Sequence, residues 1–172
     1  MSRRDQIAMS PEEVASFLDR QRVVVCATNG SRGWPHLMPL WYVVRGDDLW
    51  AWTYAKSQKV RNLERDPRAT LQVEAGEQYH ELRGVMIEAR STVHRDLELV
   101  SEFGAELFER YGNGGDSGGA TEARGGGSSA GARGGGPELL EVIRAQAAKR
   151  VALQFVAQRT ATWDHGKLGG TY

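Results

Sequence analysis

Lys56, Ser57, Lys59, Arg61 and Asn62 fall within one short stretch of this 172-residue chain. The chemistry that suits them is the holding of an anion. Ammonium and guanidinium groups supply charge, and a hydroxyl and a carboxamide supply further donors. If the stretch opens a helix, the free backbone N–H groups and positive dipole end of its first turn add to the same pull. Two readings fit: a cradle for a phosphate, or a basic helix face that is merely solvated. Both treat Lys59 as a solvated lysine of a first helical turn, and Lys149 as a basic residue on a separate, later helix.

The flanking residues say how the stretch is positioned. Leu49 to Thr53 alternates large and small residues, with Trp50 and Trp52 on one parity, as a half-buried strand does. Ser57 suits the N-cap, and Gln58 to Arg65 continues in residues that tolerate a helix. Asp66-Pro67 stops it, because a residue before proline is pushed out of the helical region. Ala69 to Glu74 then returns to strand composition. The unit is strand, short helix, strand.

That unit, with "AKSQKVRNLERDPRATLQV" between its strands, resembles the pyridoxamine 5′-phosphate oxidase-like superfamily of split β-barrel flavin and deazaflavin oxidoreductases. The resemblance runs over roughly residues 10 to 110 and resumes at 150 to 172, where "TWDHGKLGGTY" is similar to the C-terminal tail of F420-type members. It implies a mainly β fold with peripheral helices (α+β), a split, FMN-binding-like β-barrel of six or so antiparallel strands. In that family an S-x-K-x-x-N pattern holds the phosphate of FMN or coenzyme F420, and here it falls on Ser57, Lys59 and Asn62. The family also implies that Pro39, Leu40 and Trp41 run beside the cofactor ring, that Lys56 and Arg61 support the anionic tail, and that the site sits in a homodimer. The activity implied is hydride transfer between reduced F420 and a small unsaturated or electrophilic organic substrate. An FMN-binding flavoprotein, or a non-catalytic binder of flavin, deazaflavin or tetrapyrrole, would use the same cradle.

Other chemistries lack their residues. His36, His80, His94 and His165 are scattered, with no metal-ligand spacing to another His, Cys or carboxylate. Cys26 lies in the apolar run Val23 to Thr28 and reads as a small core residue. No G-x-S-x-G elbow is present. Asp164 and His165 are adjacent, but neighbours in an extended tail point opposite ways. Lysine plus arginine equals aspartate plus glutamate at 22 each, which gives nucleic acid or an anionic membrane no handle. The absence of an apolar run near the roughly 18 residues of a membrane span, and of an N-terminal apolar segment, leads to the expectation of a soluble cytoplasmic protein.

The remaining elements follow from local signals. Ser10-Pro11-Glu12-Glu13 opens a helix with a capping box, and Val14, Phe17 and Leu18 fall on its apolar face. Asn29-Gly30 turns the chain after the first strand. Trp34 to Val44 reads as one strand, whose Pro35 and Pro39 demand an edge or a bulge. Gly84, inside a long strand from Glu81 to Val93, marks a bulge or a close approach. Arg95 to Tyr111 is a helix whose stripe comprises Leu97, Val100, Phe103, Leu107 and Phe108. Twelve of the 21 glycines lie in 112–136, too polar and glycine-rich to offset its chain entropy, which predicts a flexible insertion within a single 1–172 domain. A helix from Pro137 to Lys149, a last strand from Val151 to Ala157 and a tail lying across the barrel or a partner complete the chain.

Overall fold

The computed structural model describes residues 3–112 and 137–169; the expected insertion, apart from Gly112, lies outside them. Four polar residues, Arg3–Gln6, form the short helix α1 and precede α2, Pro11–Arg20. The capping box is present: the Ser10 hydroxyl accepts from the Glu13 N–H, and the Glu13 carboxylate accepts from the Ser10 N–H. Strands β1 (Val24–Asn29) and β2 (Pro35–Leu40) form a hairpin, and β3 (Tyr42–Arg45) and β4 (Asp48–Tyr54) a second one turned at Gly46. Helix α3 (Gln58–Arg65) and strand β5 (Arg68–Ala75) follow as the sequence predicts. The long β6 (Arg83–His94), helices α4 (Leu97–Gly112) and α5 (Pro137–Ala147), and β7 (Arg150–Asp164) come next.

The seven strands form one antiparallel sheet in the order β2-β1-β5-β6-β7-β4-β3. Its two end strands are consecutive in sequence, joined by Trp41 alone. A one-residue link cannot bridge a flat seven-stranded sheet, whose neighbouring strands lie about 4.8 Å apart. The sheet therefore curls until its edges approach, which makes the split barrel. This corrects the reading of Trp34 to Val44 as one strand: the chain leaves one edge at Leu40 and joins the other at Tyr42. The prolines stand where the edge permits them, since β2 pairs with β1 only.

Strand parity separates two cores. Val24, Cys26, Leu71, Val73, Val85, Ile87, Val151, Leu153 and Phe155 point into the barrel. Phe17 and Leu18 of α2 and Val60 and Leu63 of α3 close it. On the outside, Val100, Phe103 and Leu107 of α4 cover Val43, Trp50 and Ala152. Leu97 and Phe108 are exposed, not part of that stripe; the buried Gly104 is, and a Cβ there would press on Ile143 and the ring of Trp52 at 3.0–3.1 Å.

The C-terminal segment also differs from expectation. The last strand does not end at Ala157 but runs on to Asp164, through residues read as the start of a tail across the barrel: β7 pairs with β6 from Arg83↔Asp164 to His94↔Ala152. Its register shifts at Glu88/Ala89, so Gln158 is the bulged residue. Gly84 marks a close approach: a Cβ there would sit 2.3 Å from Cζ2 of Trp163, its cross-strand partner. Gly84→Val should therefore cost roughly 1–3 kcal/mol by overpacking, and much less when combined with Trp163→Ala. Urea unfolding of the two single variants and the double variant measures this. Strictly additive losses would contradict the steric origin.

Candidate functional site

Helix α3 lies across one mouth of the barrel, and its inner face is partly polar. Lys59 is 6% exposed and Asn62 fully buried. The Lys59 ammonium donates to Thr53 Oγ1 at 2.9 Å. The Asn62 amide donates to Thr28 Oγ1 at 3.0 Å and accepts from the Gln58 amide at 2.9 Å. Helical spacing explains the arrangement. Lys59, Val60, Asn62 and Leu63 share the face that covers the interior, while Lys56 and Arg61 are exposed.

The structure thus separates the residues that the pattern groups together. Lys59 is not the solvated lysine expected of a first turn. Its ammonium offers three donors and finds one acceptor among the described residues. Burial lowers its pKa from the ordinary 10.5, with the nearby Cys26 opposing. The Cys26 thiol, buried in the same interior, is pushed up to about 12 and is inert as a nucleophile.

Ser57 occupies the N-cap position with extended backbone, yet its side chain caps nothing. Its hydroxyl is buried and has no hydrogen-bond partner among the described residues. An unpaired buried hydroxyl costs about 1–3 kcal/mol. The first backbone N–H groups of α3 lack intrahelical acceptors in any case. The turn has no acidic residue either, where α2 places Glu12 and Glu13. The start of α3 therefore presents uncompensated donors and positive charge, which fits an anion such as a phosphate.

Pro39, Leu40 and Trp41 lie elsewhere. Leu40 pairs with Val24 and Pro39 with Val25, whereas Thr28, the partner of Asn62, pairs with His36. Four residues of strand, about 13 Å, separate the two ends. Leu40 is buried, and Trp41 stacks on Tyr111 of α4 with ring centroids 4.6 Å apart and planes at 6°. The Tyr111 hydroxyl donates to the Tyr42 carbonyl at 2.7 Å, so this end is fixed by the chain's own residues.

Asp164 and His165 are not an acid–base pair. The Asp164 carboxylate accepts from the Gly166 N–H, and His165 Nδ1 faces the Tyr79 carbonyl at 3.1 Å.

An open cleft of about 540 Å³ lies on the outer sheet face, lined by Ala27, Asn29, Arg68, Thr70, Glu88 and Arg90 among others. At its rim Asp66 accepts from Arg68, which holds its carboxyl well below the usual range. Sequence reasoning missed this surface, as it missed Thr53 and Thr28. Its only signal there is the alternation of β1, β5 and β6, which tells which residues face outward but not which strands are neighbours.

The lysine's position makes a prediction that a surface lysine would not. Where the folded pKa is depressed, the native state binds its proton less tightly than the unfolded chain. Stability then rises with pH from the depressed value towards 10.5, and the cost of the buried charge is fully present below it. Replacing both partners, in Lys59→Met with Thr53→Val, should leave the ligand-free protein at least as stable as wild type at pH 7. The difference should shift towards wild type by pH 10. Urea midpoints at the two pH values test this; a loss at pH 7 that does not change with pH would refute it.

The comparisons with known proteins agree with this architecture. The pyridoxamine 5′-phosphate oxidase family pattern matches residues 10–163. The crystal structure of conserved hypothetical protein Rv2991 from Mycobacterium tuberculosis is 35% identical, with 100% of this chain and 95% of that one covered and a TM-score of 0.78. An F420 reductase is 20% identical over 88% of this chain and 98% of its own, with a TM-score of 0.61. HutZ, the haem storage protein from Vibrio cholerae, is 16% identical over 91% and 97%, with a TM-score of 0.62. These last two likenesses are of fold. No curated protein matches the chain.

Proposed function

The chain belongs to the pyridoxamine 5′-phosphate oxidase family, and from that premise we propose that it is an F420-dependent oxidoreductase acting on a small unsaturated or electrophilic organic substrate. The observation that carries the reading is the start of α3: among the described residues, a buried Ser57 hydroxyl without a partner, beside a buried Lys59 with one acceptor. The phosphate of the cofactor would take the donors of Ser57, of Lys59 and of the α3 backbone. Lys56 and Arg61 would neutralise the rest of its charge from the exposed side. Bound F420 would supply the hydride, and the protein the binding, orientation and exclusion of water. Pro39, Leu40 and Trp41, at the other end of the β1–β2 hairpin, are the proposed ring-side residues. An F420 reductase of the same fold supports the choice of cofactor. The FMN alternative uses the same phosphate donors, and a non-catalytic haem or flavin store is supported by the fold of HutZ.

Removing a charge-assisted contact should cost on the order of 1.5–3 kcal/mol, roughly ten- to a hundredfold in affinity. Lys59→Ala should weaken F420 binding by that factor. Lys149→Ala is not used as the neutral control, because a backbone bond that the variant would keep, from the Ala55 N–H to the Lys149 carbonyl at 3.0 Å, places this cationic residue next to the turn that feeds α3. Arg20→Ala, on the exposed end of α2, replaces it. Titration of F420 and FMN at fixed ionic strength decides between cofactors. Equal affinities in wild type, Lys59→Ala and Arg20→Ala would remove the cradle.

We propose also that the site is completed in a two-fold homodimer. Edge strand β2 is exposed nearly throughout, with Leu37 at 57%, and Trp34 ahead of it is 78% exposed. Edges and apolar patches of this kind are covered in stable proteins. Light scattering at micromolar concentration should give twice the chain mass, and a monomer would contradict the proposal.

A further inference from the structure

Strand β4 is shorter than the strand it pairs with. It meets β7 from Tyr54↔Arg150 to Leu49↔Phe155 and begins there, at the β3–β4 turn, while β7 runs on to Asp164. The inward side of β7 shows the consequence. Val151, Leu153 and Phe155 are at most 1% exposed. The same side continues with Ala157 opposite Ala89 and, past the bulge, with Thr160 opposite Ile87 and Thr162 opposite Val85. Ala157 and Thr160 are exposed and Thr162 is half-buried, although their three partners on β6 belong to the core. The barrel interior is left open along the second half of its last strand.

Helix α2 forms the other wall of this opening. Its residues Pro11, Val14, Ala15 and Leu18 share a face by helical spacing. With Leu49 and Ile87 they line a cleft of about 450 Å³, within the roughly 300–1,000 Å³ of small-molecule sites. The helix cannot sink into the gap, because both of its ends are tied elsewhere. At its C-terminal end, Arg110 Nη2 donates to the carbonyls of Leu18, Asp19 and Gln21. The Tyr42 hydroxyl donates to the Leu18 carbonyl at 2.6 Å. Ahead of its start, the Met9 N–H donates to Thr162 Oγ1 at 2.9 Å, and the Asp164 N–H to the Ile7 carbonyl at 2.7 Å. Lys167 adds bonds to the Ala8 carbonyl and the Glu13 carboxylate. Both walls also carry an exposed alanine, Ala15 and Ala157, where a larger apolar side chain would fill the space. Apolar surface held open in this way is a feature of ligand grooves.

The lining defines what fits. Most of it is apolar, and of the residues described there Asp47 alone is ionisable. A carboxylate or phosphate would find no cation to pair with. The polar groups come from β7. Among the described residues the Thr160 hydroxyl has no hydrogen-bond partner. The Thr162 hydroxyl accepts from Met9 and keeps its own proton to donate.

We propose that this cleft is a second binding site, for an uncharged, largely apolar molecule that carries a carbonyl at one end. The apolar body lies between α2 and β7, and the hydroxyls of Thr160 and Thr162 donate to the carbonyl. Thr53, beside Lys59, and Leu49, in the cleft, both face inward on β4, four residues or about 13 Å apart. The site is thus separate from the anion cradle at α3 and stands or falls without it.

The test titrates two neutral fluorescent probes into wild type, Ala157→Phe, Ala15→Phe and Thr160→Val, with folding checked by urea midpoints. Prodan, a naphthalene ketone, has both the apolar body and the carbonyl; N-phenyl-1-naphthylamine has only the body. Wild type should bind both saturably. Ala157→Phe and Ala15→Phe fill the cleft from opposite walls, at exposed positions that the fold tolerates, and each should weaken both probes about tenfold or more. Thr160→Val keeps the shape of the side chain and should weaken prodan roughly fivefold, without weakening N-phenyl-1-naphthylamine. Absence of saturable binding to wild type overturns the site. So does an affinity unchanged in both cleft-filling variants, which would put the probes on another apolar surface such as the β2 edge. Prodan affinity unmoved by Thr160→Val overturns the assignment of the carbonyl end.

Discussion

The link of a single residue between β2 and β3 is the constraint from which the rest of the structure follows. These strands lie at opposite ends of the sheet order, and Trp41 alone joins them. Closure of the sheet creates an interior, and alternation along β1, β5, β6 and β7 then fills it with one parity of each strand. The other parity faces outward, where α4 and α5 cover one side and the β1–β5–β6 side stays open. Trp41 is itself held by stacking on Tyr111, whose hydroxyl reaches back to Tyr42. The helix that covers the outside therefore also secures the point of closure.

A barrel so closed has mouths, and α3 covers one of them with a mixed face. Val60 and Leu63 complete the apolar core, while Lys59 and Asn62 put polar groups into the same interior. Each finds a threonine hydroxyl, Thr53 from β4 and Thr28 from β1. Asn62 is well satisfied by Thr28 and Gln58, and pins the helix to the first strand. Lys59 is under-satisfied, and an all-apolar face would fill the mouth at lower cost. Stability alone does not account for a lysine there, nor for a serine that occupies a cap position without capping. Groups that the ligand-free fold leaves unpaired are what a binding site requires.

The family relationship and the site carry different weight. The matched pattern and the 35% identical structure establish the architecture and the family. Proteins of this fold include an F420 reductase and a haem storage protein, so the barrel does not select the ligand.

Read as a sequence, the chain determined most of its local structure, because capping boxes, proline stops and alternating strands act over a few residues. Ser10 to Glu13 and Asp66-Pro67 are such cases, and the cation-rich start of α3 was visible for the same reason; Gly84 was legible only as a bulge or a close approach, and its partner Trp163 on β7 decided which. What the tertiary structure decided depends on pairing between distant segments. Local pattern could not reveal that Trp41 turns one strand into two edges, because β2 and β3 find different partners. Nor could it reveal that Lys59 points inward, since helical periodicity gives the face of a residue but not what lies beneath it. The neighbourhood of Arg150 and Tyr54 is further still from the sequence. Nearly a hundred residues separate them along the chain, and only the pairing of β4 with β7 brings their charge and ring together.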